Sequence, residues 1–352
     1  MNIDLNSKRV WQLAGQFMLW DRVEERLRRY PEIRAHFEKP LRKSRQHGHH
    51  CHQMAWRLGT WSSDSEEIFQ RLEGLLAVAK AQTGWAGEKG MFTSTQYGTF
   101  WGLVWQLQVA EWLVRLGFSP KWQKPGPDLR IEVGGRDVWV ECYSAVGSHE
   151  AVEFLQELFS RVYPNVRVRY DPSKTLPSRI EEMVETCITT VESKLATALE
   201  EVRTGAWPVL LYSSPEGGAI TVQLDGDDID RYEPRLERGS TPDLQSRFTK
   251  TLRRVFAAKH GKNSLAQKHP NVVMTNLVVH EMFQIAIHQV QLLHPNPRDL
   301  VPHGVIADCP DLDAIIWTIT GIDEQLKTKV DQCEWRDLAH PLREIVERSS
   351  GA

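Results

Sequence analysis

The stretch GPDLRIEVGGRDVWVECYS, residues 126–144, carries residues whose types and spacing could support chemistry. Asp128 opens one predicted strand, Glu141 lies near the end of the next, and Gly134-Gly135 supplies a tight turn between them. Because the hairpin pairs the two strands, we expect the two carboxylates to lie close together. Two carboxylates held close repel each other, and a divalent cation is the partner that neutralises them.

The cation predicted for Asp128 and Glu141 is Mg²⁺ or Mn²⁺. Mg²⁺ takes one or two protein carboxylates and keeps its other positions for water and phosphate oxygens. Held in this way, the ion polarises a phosphate and activates the attacking water. The pattern therefore predicts metal-assisted hydrolysis of phosphodiester bonds. A structural interpretation also stays open, in which Asp128 is a turn residue and Glu141 is a solvated residue of an edge strand.

The elements around this hairpin alternate between helix and strand after an all-helical start. Apolar residues at helical spacing predict helices within 8–30, 64–82 and 99–117, the last ending at Gly117. Strands are predicted at 129–133, 138–143, 166–170, 208–212, 219–224, 271–276 and 314–319. We therefore expect an α/β fold, with a helical region over residues 1–90 and an α/β domain over residues 91–352.

Side chains of the second hairpin strand alternate between two faces. Trp139, Glu141 and Tyr143 share one face, and the apolar residues between them suit the core.

This arrangement resembles the PD-(D/E)xK nuclease superfamily, which has the restriction endonuclease-like fold. Pro127-Asp128 matches the PD element, and Glu141-Cys142-Tyr143 occupies the position of (D/E)xK. The resemblance covers about residues 97–215 and implies a mixed sheet flanked by helices. It also implies Asp128, Glu141 and Tyr143 as catalytic residues, Mg²⁺ or Mn²⁺ as cofactor, DNA rather than RNA as substrate, and a homodimer or a larger assembly.

The lysine of the family motif is replaced here by Tyr143. That lysine orients the attacking water and stabilises charge on the phosphate, whereas a tyrosine carries no positive charge near neutral pH. Three alternatives follow. Another cation, such as Lys250 or Lys259, takes its place; the site is weakened; or the chain is an inactive nuclease-like module that binds nucleic acid or a partner protein.

In this family, the helix before the strands often carries a further acidic metal ligand. Glu111 is the only acid in the helix 99–117 and lies on the same side as Leu107 and Val114, so we expect it to be a third ligand. An ion pair with Arg115, one turn further along, is the alternative.

Residues 244–280 contain no acid, so their positive charges form a local basic patch. Phosphate neutralisation is the physical use of such a patch, and the predicted nucleic-acid-binding residues are Arg247, Lys250, Arg254 and Lys259. The alternative is a solvated helix face paired with acids elsewhere. The first 50 residues are also rich in arginine and lysine, Arg26 among them, and predict a second basic helical surface.

The overall composition excludes several classes of protein. The chain has 352 residues, with 43 Lys and Arg against 46 Asp and Glu, so it is not uniformly basic. No apolar run approaches the roughly 18 residues of a membrane span, and charges at positions 4, 8 and 9 oppose a secretory signal. Five scattered cysteines without a CxxC pair indicate a reduced, cytoplasmic protein.

Overall fold

A computed structural model describes the part of the chain on which the following account rests. The described residues are 20–47, 54, 58–59, 66–85, 92, 97–123, 127–144, 166–170, 209–213, 219–224, 268–276, 304–309, 312–318, 332–335, 343–345 and 347–348.

The described chain begins with helices. These are α1 (Trp20–Arg29), α2 (Pro31–His47), α3 (Glu66–Lys80) and α4 (Tyr97–Arg115). The helices predicted within 8–30, 64–82 and 99–117 are confirmed where the chain is described, but α2 was not predicted as a separate element. Its start has a simple cause, because proline lacks an N–H and is well tolerated at the first position of a helix.

The first turn of α2 is capped from a neighbouring helix. The carboxylate of Glu73, on α3, accepts the backbone N–H groups of Glu32 at 2.7 Å and Ile33 at 2.9 Å. First-turn amides have no partner within their own helix, so a carboxylate placed there satisfies them and also suits the helix dipole. This contact fixes α2 against α3, and α3 packs in turn on α4.

The larger sheet has six strands in the order β1-β2-β3-β7-β8-β9. Its members are β1 (Lys121–Trp122), β2 (Leu129–Val133), β3 (Arg136–Ser144), β7 (Asn271–Asn276), β8 (Ala314–Thr318) and β9 (Gln332–Trp335). Neighbouring strands are antiparallel except for β3/β7 and β7/β8, which are parallel. The predicted α/β class and the mixed sheet are confirmed; β1 and β9 were not predicted.

A second, antiparallel sheet has the order β4-β6-β5. Its strands are β4 (Val166–Tyr170), β5 (Val209–Ser213) and β6 (Ala219–Leu224), close to the predicted bounds.

The β2–β3 hairpin turns at Gly134 and Gly135, whose φ angles are 56° and 77°. Two consecutive positive φ values define the tight turn that matches strand twist, and glycine adopts them without strain. Leu129 therefore pairs with Val140, and the pairing of Asp128 with Glu141 would be the next in this register.

Helix α4 covers the centre of the sheet. It packs on β3, and the indole Nε1–H of Trp105 donates to the carbonyl of Met274 on β7 at 3.1 Å. Gly117 ends the helix as predicted, with φ 84°, while the amides of Gly117 and Phe118 bond back to Val114 and Leu113. All of β8 and residues 271–275 of β7 are buried, as expected for parallel strands covered on both faces.

Packing crosses the predicted boundary at residue 90. Helix α3 contacts α4, and the Trp85 ring lies against Trp122 of β1 with centroids 4.8 Å apart. The backbone N–H of Trp122 also donates to the carbonyl of Thr83 at 2.9 Å. The division into regions 1–90 and 91–352 stays a prediction, and these contacts join its two sides.

A charged network lies within the helical region. The side chain of Arg26 is 2% exposed and donates to the Glu66 carboxylate at 2.7 Å and to the carbonyl of Leu58 at 2.6 Å. Arg26 is therefore a core residue, and its predicted place on a basic surface is wrong. The Tyr30 hydroxyl donates to the second oxygen of Glu66 at 2.6 Å.

This network shifts two pKa values in opposite directions. Burial, followed by the hydrogen bond to Glu66 and its negative charge, raises the pKa of Tyr30 from 10.0 to about 12. Burial alone would raise the pKa of Glu66, but hydrogen bonds from Tyr30 and Arg26 and the nearby positive charges outweigh it and hold that pKa below its ordinary value.

Alkaline pH should weaken the fold through Tyr30. The unfolded chain releases this proton near pH 10 and the folded chain only near pH 12, so the stabilisation is complete below pH 10 and is lost as the pH rises through 12. Urea unfolding of the wild type and Tyr30→Phe across pH 8–12 measures this loss. We expect a shallower alkaline decline in Tyr30→Phe; identical declines would contradict the assignment.

Candidate metal and phosphodiester site

Asp128 lies immediately before β2, against the backbone of β3. Its carboxylate Oδ2 accepts the backbone N–H of Cys142 at 2.7 Å, and Oδ1 accepts the side-chain amide of Gln106 at 3.0 Å. Cys142 directly follows Glu141, so the Asp128 carboxylate lies beside the peptide link of the second predicted metal ligand.

Glu141 lies on β3 and is 2% exposed. Its partner across the sheet is Val273 of β7. The predicted alternation is confirmed for the core face, because Val138, Val140 and Cys142 are buried. The interpretation of Glu141 as a solvated edge residue is wrong, since β3 lies between two strands and the side chain is buried. A buried carboxylate requires charge compensation, which a divalent cation can supply.

Gln106 was not singled out in the sequence, although it is polar within the apolar helix α4. It is 8% exposed, and its amide nitrogen contacts Asp128. A buried polar residue in an apolar segment was the available signal, but the sequence does not show which side chain of α4 reaches the start of β2.

Glu111 lies beside two arginines, one on α3 and one on its own helix. Its carboxylate lies 2.8 Å from the guanidinium of Arg71 on α3 and 3.0 Å from that of Arg115. The Arg71 contact is an ion pair rather than an aligned hydrogen bond. The structure thus contains the predicted alternative, pairing with Arg115, and gives Glu111 a role in joining α3 to α4. A contribution of Glu111 to a metal site stays a prediction.

Replacing Glu111 by glutamine should lower stability and leave metal affinity unchanged. Removing one member of this half-buried ion pair costs about 2 kcal/mol, because the charged contacts to both arginines are lost. Urea unfolding and Mn²⁺ titration calorimetry measure the two effects, with the exposed Glu67→Gln as control. A tenfold loss of Mn²⁺ affinity at full stability would instead support Glu111 as a ligand.

Tyr143 is half-buried on β3, two residues beyond Glu141, and pairs with Thr275 of β7. Positive charge approaches the same strand at Trp139, two residues before Glu141. The Lys268 Nζ lies 4.0 Å from the centre of the Trp139 ring, and the Arg130 guanidinium lies 5.7 Å from it. Lys268 belongs to the segment 244–280, which contains no acid, and its positive charge lies near the strand that carries Glu141.

The four predicted nucleic-acid-binding residues lie outside the described residues. They are Arg247, Lys250, Arg254 and Lys259. Their role in binding nucleic acid, and that of Lys250 or Lys259 in place of the motif lysine, stay predictions.

The side chains of Asp128, Glu141 and Gln106 fit a hard cation by their chemistry. Within the described ranges, no group of three or more His, Cys, Asp or Glu side chains could hold a metal ion. The groups that could bind a metal ion are the two carboxylates and the amide oxygen of Gln106. The amide oxygen is buried and has no hydrogen-bond partner among the described residues. An all-oxygen set of this kind suits Mg²⁺ or Mn²⁺ rather than a thiol-seeking metal.

Comparison with known proteins gave no match to a family model, to a curated protein or to a solved structure. In the described part of the chain, no helix has the length and apolar character needed to cross a membrane.

Proposed function

We propose that the protein is a divalent-metal-dependent nuclease with a restriction endonuclease-like domain, and that it hydrolyses phosphodiester bonds in DNA rather than RNA. One observation carries the proposal: the Asp128 carboxylate bonds the amide of Cys142, directly beside buried Glu141. The surrounding elements support it, because a helix precedes the antiparallel β2–β3 hairpin. Strand β3 then pairs in parallel with β7, and β7 pairs in parallel with β8.

Two acidic side chains hold the cation, and Tyr143 and Lys268 contact the substrate. Asp128 and Glu141 bind Mg²⁺ or Mn²⁺, which supplies polarisation of the phosphate and activation of the attacking water. Tyr143 donates a hydrogen bond at the position of the motif lysine. Lys268, held over Trp139, supplies positive charge on the same strand face.

A second candidate function is a nuclease-like module that binds nucleic acid without cutting it. It is favoured by the hydrogen bonds that already engage both oxygens of Asp128 and by the missing motif lysine. Trp139 with Lys268 and Arg130 offers aromatic and cationic groups, which together suit contact with bases and phosphates.

A cleavage assay separates the two functions. Single- and double-stranded DNA and RNA are incubated with the protein and Mg²⁺, Mn²⁺ or EDTA, beside Asp128→Asn and Lys268→Ala. Metal-dependent cleavage that Asp128→Asn abolishes supports the nuclease. Salt-sensitive binding without cleavage, weakened in Lys268→Ala, supports the binding module. Cleavage unaffected by EDTA or by Asp128→Asn would overturn the proposed metal site.

A further inference from the structure

The amide group of Gln106 is only half satisfied. Its nitrogen donates to Asp128 Oδ1 at 3.0 Å, whereas its oxygen is buried and has no hydrogen-bond partner among the described residues. Leaving such an acceptor buried without a partner is unfavourable. The side chain is 8% exposed and lies next to a carboxylate assigned to the metal site. The unsatisfied oxygen therefore belongs to a buried side chain that contacts a proposed ligand of the cation.

A half-turn of the amide exchanges its two ends. The nitrogen and oxygen occupy nearly equivalent positions, and the hydrogen-bonding environment determines which faces a neighbour. In the structure, the nitrogen faces Asp128 and donates to it. With a cation on Asp128, the carboxylate charge is neutralised and the oxygen is the end that gains from facing the ion. The Gln106 side chain can therefore face Asp128 with its nitrogen or, after the half-turn, face a cation with its oxygen.

We infer that Gln106 is a ligand of the cation held by Asp128 and Glu141, contributing its amide oxygen. The inference rests on the proposed metal site and names one further residue of it. Carboxamide oxygens are accepted ligands of hard divalent cations. Charge balance also favours a neutral third ligand, because the two carboxylates already match a double positive charge.

Gln108 provides a matched control on the same helix. It is 3% exposed, as buried as Gln106, but lies about 200° further around the helix axis and so on a different side of α4. Methionine has nearly the same length as glutamine and no amide. Replacing either glutamine by methionine therefore removes one buried amide. The two variants differ in position, because only Gln106 lies on the side of α4 that contacts Asp128.

Calorimetric titration with Mn²⁺ tests the inference. We expect Gln106→Met to weaken Mn²⁺ binding roughly ten- to hundredfold and Gln108→Met to leave it unchanged. The Gln106→Glu variant distinguishes two roles of Gln106: binding the cation through its oxygen, or only positioning Asp128 through its N–H. A glutamate keeps an oxygen ligand but cannot donate, so a ligand role predicts affinity at least equal to wild type, whereas a donor role predicts a loss.

Each outcome bears on the inference or on the site as a whole. Equal Mn²⁺ affinity for wild type and Gln106→Met overturns the ligand role of Gln106 and leaves Asp128 and Glu141 as the metal site. No Mn²⁺ binding by the wild type overturns both this inference and the proposed metal site. If Gln106→Met fails to fold by circular dichroism, Gln106→Glu decides, and weaker Mn²⁺ binding than wild type would count against the inference.

Discussion

Replacing Glu141 by glutamine is expected to reduce metal-dependent cleavage by roughly a hundredfold or more, because charge-stabilising groups at a reacting phosphate contribute effects of this size. Glutamine keeps the size of the side chain and one oxygen but removes the negative charge that attracts the cation. Glu141 is 2% exposed, so no solvent-facing role accounts for such a loss. Cleavage rates at saturating DNA with Mg²⁺ or Mn²⁺ measure the effect.

The matched control for this change is Glu132→Gln. Glu132 lies on the adjacent strand β2, is exposed and pairs with Asp137 across the hairpin. The same change from glutamate to glutamine is thus made at an exposed position. We expect it to leave the cleavage rate within about twofold of wild type, as for surface substitutions far from the site.

Metal-induced stabilisation gives an independent readout of Glu141. A cation that binds only the folded protein raises the melting temperature with its concentration. The wild type and Glu132→Gln should show this rise with Mn²⁺, and Glu141→Gln should not. If Glu141→Gln cleaves at the wild-type rate and its melting temperature rises with Mn²⁺ as in the wild type, Glu141 is not part of the metal site.

Local patterns in the sequence were sufficient to predict the hairpin. The Gly134-Gly135 pair can adopt the positive φ angles of a tight turn, and the alternation around it places apolar residues on one face. Strands β7 and β8 were also predicted. Their order in the sheet was not predicted, because β3 and β7 are neighbours although more than 120 residues separate them in the chain.

The site was predicted in part for the same reason. Asp128 and Glu141 belong to one hairpin, so the contact of Asp128 with the residue after Glu141 follows from local register. Glu111 and Gln106 belong to one helix, and their partners come from other elements. Arg71 of α3 lies against Glu111, and Asp128 lies against Gln106. No local pattern shows which face of an apolar helix turns towards which neighbour.

Replacing Arg26 by methionine is expected to lower the free energy of unfolding by about 3–5 kcal/mol, the range for breaking a buried ion pair from one side. The side chain is 2% exposed, its guanidinium bonds Glu66 and the carbonyl of Leu58, and it lies 4.8 Å from the centre of the Phe69 ring. Methionine fills much of the same space but removes the closest cationic donor to the Glu66 carboxylate, which keeps Tyr30 and Arg29, and removes the Arg26 donor to the Leu58 carbonyl. Urea unfolding at neutral pH measures the change.

Arg34→Met is the control for this prediction. Arg34 is also an arginine of the helical region, but it is 53% exposed and its contact with Glu38 is 3.6 Å long, so its loss should cost less than about 0.5 kcal/mol. Adding Glu66→Gln to Arg26→Met should recover part of the lost stability, because it removes a carboxylate charge that has lost its closest cationic partner. Similar small losses for Arg26→Met and Arg34→Met would mean that the Arg26 network does not hold α1 against α3.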